Sequence, residues 1–279
     1  MKIILTRDKI KYDCQNSLII IHKRGFGGIS LKIIISPAKK MKVDTEFEIH
    51  SISCFLDKTE LLMKYMQSLS YEEAKNLWKC NDKIARKSYE YFKDMKLKDN
   101  LTTALLSYEG IQYQYMAPNV FELEQWDYVG KHLYILSGFY GVLRAFDGVV
   151  PYRLEMQASA KISGHSNLYD FWGDSLCQKL YEDEDVVLNL ASKEYSICIE
   201  KYITNKVRFI NCTFGEYKEG KITTKGTYAK MARGEMVRFM ADHNIKDISE
   251  IKQFNRLNYY YDKEASSNNN LVFIREVKL

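Results

Sequence analysis

Residues 32–41 read KIIISPAKKM, in which three consecutive isoleucines are followed within two residues by a proline. A short run of β-branched apolar residues is typical of a buried strand. Because Pro37 has no N–H to donate to a neighbouring strand, we predict that the strand ends there. The basic side chain of Lys39 then lies just beyond the carboxyl end of the strand, where α/β proteins commonly place their functional residues.

Strand and helix patterns alternate from this first strand toward the C-terminus. Further strands are predicted at residues 133–136, 186–190, 207–214, 222–224, 259–261 and 271–274, and helices at 61–69, 72–79, 82–95, 168–180 and 227–242. This interleaving predicts the mixed α/β (α+β) class, with a central mixed sheet flanked by helices. We find no repeat or linker between residues 32 and 279, so we expect a single domain over that range.

The composition is that of a soluble globular protein. Of 279 residues, 46% are hydrophobic, 28% are charged and 13% are aromatic, which is too rich in apolar side chains for a disordered chain. The longest apolar runs are far shorter than the roughly 20 residues that span a bilayer. We therefore expect no membrane association.

Residues 1–31 differ from the rest of the chain. They hold six basic and two acidic side chains, so most of the net charge of +5 lies there and the remainder is nearly neutral. The glycine-rich end at residues 25–28 precedes the first strand, and Gly-Gly-Ile can be encoded by a ribosome-binding sequence, with Leu31 then encoded by a UUG start codon. We predict that residues 1–31 are a non-native or disordered extension; the alternative is a genuine basic arm with a flexible linker.

The cysteines and histidines form no recognisable metal motif. The six cysteines are dispersed without a C-x-x-C pair, and the five histidines are scattered. We therefore expect reduced thiols in the cytoplasm, no metal site and no cofactor.

The densest cluster of charged and glycine residues lies between residues 136 and 156. It follows a predicted strand with Ser137 and Gly138, and it contains Arg144, Arg153 and Glu155. Glycines let a backbone approach an anion closely, and arginine supplies a planar set of donors for phosphate or carboxylate. The alternative is an internal network of Arg–Asp and Arg–Glu pairs that only holds a loop.

Other candidates follow predicted strands or share a helix face. Tyr108 and Glu109 come after the apolar residues 104–106, and Ser192 follows the strand at 186–190, where it could cap a helix or act as a nucleophile. Lys230 and Arg233 are three residues apart on one helix and so share a face, either toward an anion or toward solvent. Gly234 in the middle of that helix indicates close approach of another element.

Several of these segments, in this order, resemble the YaaA family of peroxide-stress-response proteins. The matching segments are residues 33–39, 136–144, 151–156, 168–174, 189–195, 228–234, 266–267 and 271–273. The resemblance covers residues 32–279 and includes the long block from Ser137 to Met156.

The resemblance implies a cytoplasmic protein that limits peroxide damage by keeping unincorporated iron low. It also implies non-specific DNA binding through a helix-hairpin-helix element inserted in a single α/β domain. Residues 69–92 correspond to that element, with phosphate contacts from Lys75, Lys79, Lys83, Arg86 and Lys87. The usual glycine at the bend is missing, since Cys80-Asn81 stands there. Backbone amides at such a bend normally meet the phosphate, so this departure weakens the expectation of tight binding.

Two functional hypotheses from different classes follow. The first is a DNA-binding stress protein without catalysis. The second is an enzyme that acts on a nucleotide, a nucleobase or another anionic substrate. Its predicted pocket is formed by Lys39, Tyr108, Glu109, Arg144, Arg153, Glu155, Ser192, Lys230 and Arg233. Convergence of these residues in a cavity that also holds a perturbed carboxylate favours the enzyme. The sequence does not indicate an oligomeric state.

Overall fold

The computed structural model describes residues 31–181, 186–204 and 207–276. The predicted N-terminal extension lies outside these residues, apart from Leu31. Leu31 is the first residue of the first strand. It is buried, and it pairs with Val186 of the neighbouring strand.

The described residues form a mixed α/β fold. Its strands are β1 (Leu31–Ile35), β2 (Lys40–Met41), β3 (Ser51–Ile52), β4 (Thr102–Thr103), β5 (Tyr108–Glu109), β6 (Leu133–Ser137), β7 (Gly141–Arg144), β8 (Asp147–Val149), β9 (Val186–Leu190), β10 (Arg208–Lys218), β11 (Lys221–Thr223), β12 (Tyr259–Ser267) and β13 (Asn270–Arg275). Its α-helices are α1 (Leu56–Ser68), α2 (Tyr71–Trp78), α3 (Asp82–Lys93), α4 (Ala104–Ser107), α5 (Ile111–Met116), α6 (Leu123–His132), α7 (Leu168–Trp172), α8 (Ser175–Leu180), α9 (Lys193–Glu200) and α10 (Gly226–Asp242). Short 3₁₀ helices cover Pro118–Val120, Ile248–Gln253 and Arg256–Asn258.

The central sheet has eight strands in the order β12-β13-β10-β9-β1-β6-β7, with β11 paired to β10. The five inner strands from β13 to β6 are parallel, and the edge strands β12 and β7 are antiparallel to their neighbours. All five residues of β1 are buried, as expected for a central parallel strand covered on both faces. The predicted mixed sheet is therefore confirmed.

The sheet reverses its winding direction beside β1. The chain passes from β1 to β6 on one side and later returns to β9 on the other side. The segments after β1 and β9 therefore leave the carboxyl ends of adjacent strands in opposite directions and open a crevice between them. Open α/β sheets commonly bind their ligands at such a crevice.

The predicted helices at 61–69, 72–79, 82–95 and 227–242 correspond to α1, α2, α3 and α10, whereas α4, α5 and α6 were not predicted. A Ser70–Glu73 capping box begins α2, with both reciprocal hydrogen bonds formed. The predicted helix over residues 168–180 was wrong as a single element, because α7 ends at Trp172 and α8 begins at Ser175 after a turn at Gly173-Asp174. The turn brings the apolar faces of both short helices onto the core, where Trp172 and Leu176 are buried.

Helices α2 and α3 are consecutive and are joined by the short segment 79–81. Lys79 adopts a left-handed conformation at the end of α2, and the Asn81 side chain accepts the Ile84 N–H at the start of α3. Trp78 anchors the pair to the rest of the fold, since its indole N–H donates to the Arg153 carbonyl at 2.6 Å. Whether the pair is a DNA-binding helix-hairpin-helix remains a prediction.

Candidate functional site

A cavity of about 500 Å³ lies at the crevice beside β1. This volume is in the range of pockets that hold small molecules. The Ser36 hydroxyl at the end of β1 donates to the Ser192 hydroxyl at 3.1 Å and accepts the Ser192 N–H at 2.8 Å. These bonds fix the two strand ends that form the floor of the cavity.

One wall is the loop after β8, which carries Arg153 and Glu155. Its backbone packs on Gly138, where a Cβ would lie 2.5 Å from the Leu154 carbonyl oxygen. Glu155 Oε1 lies 2.8 Å from Arg153 Nη2 and 3.2 Å from Lys39 Nζ. The first strand and this loop are thereby joined through one carboxylate.

The opposite wall is formed by α10 and α5. Lys230 and Arg233 of α10 line the cavity together with Gln112 of α5. The predicted close approach at Gly234 is confirmed, because a Cβ there would lie 2.1 Å from the Gln112 carbonyl oxygen. Only glycine lets the two helices come this close. Gly234 therefore determines how near Arg233 lies to Gln112.

Three buried nitrogens of cavity-lining side chains have no hydrogen-bond partner among the described residues. They are Arg153 Nε, Arg233 Nε and Gln112 Nε2. Leaving a buried donor without a partner costs about 1–3 kcal/mol, so such groups ordinarily find an acceptor. Three such donors therefore belong to residues that line one cavity, and each could be satisfied by a hydrogen-bond acceptor.

The charge around the cavity favours an anion. Its lining has five cationic and three anionic side chains. Glu109 pairs with Lys40 at 2.9 Å, and Glu155 pairs with Lys39 and Arg153. Within the described residues, Lys230 and Arg233 have no acidic partner, which leaves two positive charges to face a ligand. Burial lowers the pKa of the Arg233 guanidinium, which reflects how far its charge is removed from water.

Three hydroxyl groups form a hydrogen-bonded chain next to the cavity, those of Ser137, Tyr152 and Tyr108. Ser137 Oγ accepts the N–H groups of Phe139 and Tyr140, so its own proton is donated to the Tyr152 hydroxyl at 2.6 Å. The Tyr152 hydroxyl also lies 2.8 Å from the Tyr108 hydroxyl. Tyr152 lines the cavity, whereas Tyr108 lies behind it and does not.

Seven of the nine pocket residues expected from the sequence line this cavity: Lys39, Glu109, Arg153, Glu155, Ser192, Lys230 and Arg233. The expectation that Arg144 joins them was wrong. Gly141–Arg144 is itself a strand antiparallel to β6, so Arg144 pairs with Tyr134 at the end of the sheet away from the cavity. Tyr108 reaches the cavity only through Tyr152.

Two further details differ from the sequence expectation. Ser192 begins α9 as its capping residue, but its side chain makes no capping bond because it is engaged with Ser36. Glu194 in the first turn of α9 also lines the cavity and was missed. Its place in the segment after β9, next to Ser192, was the signal that could have identified it.

Burial raises the pKa of the Glu194 carboxyl, and repulsion from Glu155 adds to this, while the N–H groups of Gln157 and Met156 and the charge of Lys39 oppose it. A carboxylate with a raised pKa in a cavity is a common property of functional sites. The cavity therefore holds two ion-paired carboxylates, Glu109 and Glu155, and a third, Glu194, without an ion pair among the described residues.

The basic residues predicted to contact DNA divide into two groups. Asp82 lies 3.1 Å from Lys75 Nζ and 2.7 Å from Arg86 Nε, so these two cations are already paired. Lys79, Lys83 and Lys87 have no acidic partner within the described part of the chain. The surface of α2 and α3 is therefore less basic than the sequence indicates.

Among the described residues, no group of three His, Cys, Asp or Glu side chains is placed to hold a metal ion. None of the described helices combines the length and apolar character needed to cross a bilayer.

The sequence matches a known protein family and is similar to several bacterial proteins. Residues 31–265 match the family model described as peroxide stress protein YaaA. A UPF0246 protein of Lachnoclostridium phytofermentans is 55% identical over 246 residues, covering 88% of this chain and 96% of the relative. UPF0246 proteins of Desulfitobacterium hafniense and Ligilactobacillus salivarius are each 52% identical over 246 residues, covering 88% of this chain and 98% and 100% of those relatives.

Proposed function

The chain belongs to the YaaA family of peroxide stress proteins. We propose that its function depends on the cavity and that the cavity binds a small anionic ligand. The observation that carries the proposal is the set of three unpartnered buried donors, Arg153 Nε, Arg233 Nε and Gln112 Nε2, around one space. The unpaired charges of Lys230 and Arg233 match a ligand with two negative charges, such as a phosphate monoester.

The position of the cavity supports the same proposal. It lies at the carboxyl ends of parallel strands, at the reversal of winding, where open α/β sheets bind their ligands. Ser192, Glu194 and Tyr195 bring the N-terminal turn of α9 to the cavity, and the partial positive charge of a helix N-terminus favours an anion. An enzyme acting on a nucleotide or another phosphorylated molecule fits this arrangement better than a binding surface without a pocket.

A ligand panel tests the proposal. The purified protein is titrated calorimetrically with phosphate, ribose 5-phosphate and adenosine monophosphate, with chloride at matched ionic strength as the reference. We expect saturable binding of at least one phosphorylated compound and at least a tenfold loss in Arg233→Met. Lys221→Met on the exposed strand β11 removes the same charge away from the cavity and should bind normally. Equal affinity of both variants would contradict the proposal.

The Arg233→Met variant also tests whether protection from peroxide stress depends on the cavity. We propose that the protein limits iron-driven oxidative damage in the cytoplasm and that this depends on the cavity. Cells that lack the protein should accumulate unincorporated iron under peroxide, as measured by whole-cell electron paramagnetic resonance. Complementation by Lys221→Met should restore the low level, and complementation by Arg233→Met should fail. Full rescue by Arg233→Met would separate stress protection from the cavity.

A second candidate function is non-specific DNA binding by α2 and α3. It is supported by Lys79, Lys83 and Lys87, which lie on one helical pair without acidic partners in the described residues. The four acidic residues of the same pair, Glu72, Glu73, Asp82 and Glu90, offset much of its charge. For this reason we rank DNA binding below the cavity.

A further inference from the structure

Three carboxylates line the cavity, and the surroundings of Glu155 and Glu194 differ most. Glu155 Oε1 has two cationic groups within 3.2 Å, the Lys39 ammonium and the Arg153 guanidinium, and its side chain is 9% exposed. Glu194 has no ion pair among the described residues. When neighbouring acids lie in such different surroundings, one is held ionised and the other is left to exchange a proton.

The geometry holds Glu194 in place on the cavity wall. Its Oε1 accepts the Gln157 N–H at 3.4 Å, which ties α9 to the loop that carries Glu155. Its backbone carbonyl accepts the Tyr169 hydroxyl from α7 at 3.0 Å. The loop therefore holds the carboxylate itself, α7 holds the backbone that carries it, and the residue lines the cavity.

We propose that Glu194 is the acid–base group of the cavity: it takes up one proton when a dianionic ligand binds and returns that proton when the ligand leaves. This inference rests on the proposed function of the cavity. It assigns a chemical role to a residue beside Ser192 and extends the site from anion binding to proton exchange with the ligand.

The charged and titratable groups around Glu194 support this assignment. Lys39 and Glu155 face it from the segments after β1 and β8, Tyr169 from α7, and Tyr195 and Cys198 from its own helix. Burial raises the pKa of both tyrosines and of the Cys198 thiol, so these three groups stay neutral near pH 7. Lys39 is engaged by Glu155. A ligand anion entering the cavity therefore raises the pKa of Glu194 further, and the carboxyl binds a proton.

Sulfate is a suitable probe because it remains a dianion between pH 5.5 and 8.5. If one proton is taken up, sulfate affinity falls about tenfold per pH unit between the pKa values of the free and bound states. In Glu194→Gln, affinity should be independent of pH and equal to the wild-type limit at low pH. Glutamine keeps the acceptor for Gln157, so this variant should fold. Glu264→Gln changes an exposed glutamate of β12 outside the cavity and should keep the wild-type pH dependence.

Calorimetry in two buffers of different ionisation enthalpy measures the proton directly. We expect uptake of up to one proton per sulfate in the wild type and in Glu264→Gln, and none in Glu194→Gln. If sulfate binds with the same affinity at every pH, or if Glu194→Gln keeps the pH dependence, the inference is overturned while the anion site stands. If neither sulfate nor the phosphorylated panel binds at any pH, the proposed function itself fails.

Discussion

Gly234 packs directly against the backbone of Gln112, so that α10 and α5 touch without an intervening side chain. This contact places Arg233, the preceding residue in α10, beside Gln112 at the cavity wall. The close packing at Gly234, which any larger side chain would prevent, therefore keeps two of the three unpartnered donors near each other. They are the donors of Arg233 and Gln112.

Gly234→Ala should destabilise the fold and weaken ligand binding. The new Cβ would meet the Gln112 carbonyl oxygen at 2.1 Å, so the helices must separate, at a cost of about 3 kcal/mol. Chemical denaturation and phosphate titration measure the two effects. The control is Gly226→Ala at the start of the same helix, where a Cβ meets no atom within 4 Å. Alanine there should leave binding unchanged and stability equal or slightly higher.

Tyr152→Phe should cost more stability than Tyr108→Phe. The first change removes the partner of both Ser137 and Tyr108, whereas the second leaves Tyr152 bonded to Ser137. Each buried hydroxyl left without a partner costs about 1–3 kcal/mol. Urea denaturation of both variants gives the comparison. Equal losses would mean that Ser137 donates its proton elsewhere.

Stability should fall as the pH is lowered from 7.5 to 5.5, in part through His132. Burial lowers the pKa of His132 below the usual 6.5, although its Nδ1 lies 2.7 Å from the Leu31 carbonyl oxygen. The folded state therefore favours the neutral ring, and its stabilising effect is present above pH 6.5 and lost as the pH falls toward the folded-state pKa. The slope for one proton is at most about 1.4 kcal/mol per pH unit.

Denaturation of His132→Gln across this pH range should show a smaller slope than the wild type. His50→Gln changes an exposed histidine and should retain the wild-type slope. If both variants keep the wild-type slope, other groups account for the pH dependence.

If α2 and α3 bind DNA, the combined change of Lys79, Lys83 and Lys87 to Gln should weaken binding equally across sequences. The slope of log affinity against log salt should also become shallower, by about 0.9 for each phosphate that the variant no longer neutralises. Fluorescence anisotropy with two unrelated duplexes at several salt concentrations measures both quantities. The control combines Lys218→Gln, Lys221→Gln and Lys263→Gln, which removes three exposed charges elsewhere. Equal effects of the two triple variants would exclude α2 and α3 as the DNA site.

The sequence predicts much of the fold, because the strands of the sheet centre carry short apolar runs with clear ends, as at residues 33–35 and 186–188. Edge strands were harder to predict. Gly141–Arg144 contains two residues typical of turns or surfaces, and its pairing with β6 depends on a tertiary contact that the local pattern does not reveal. This is why Arg144 was assigned to the wrong end of the sheet.

The candidate site was predictable where residues directly follow a strand or share a helix face, as for Lys39 and for Lys230 with Arg233. Glu194 also follows a strand, but the sequence does not rank it above its neighbours, and Gln112 has no such signal. Their significance arises from burial without a partner and from the proximity of Glu155, and both are properties of the folded chain.

Arg153→Lys distinguishes a binding role for Arg153 from a purely structural one. The Arg153 side chain is 10% exposed and pairs with Glu155, so a structural role predicts loss of the fold when it is changed. Lysine keeps the charge and can still reach Glu155, but it cannot supply the buried Nε N–H, which has no partner among the described residues. We therefore expect a folded variant that loses no more than about 2 kcal/mol and binds phosphate at least tenfold more weakly.

Arg256→Lys is the matched control for this last change. Arg256 also pairs with acidic side chains, Glu235 and Asp242, but it does not line the cavity. The same substitution there should reduce stability to a similar extent and leave phosphate affinity unchanged. Thermal denaturation and calorimetric titration of both variants separate the two roles. If Arg153→Lys unfolds the protein, or if it binds phosphate as tightly as Arg256→Lys does, Arg153 acts as a structural residue only.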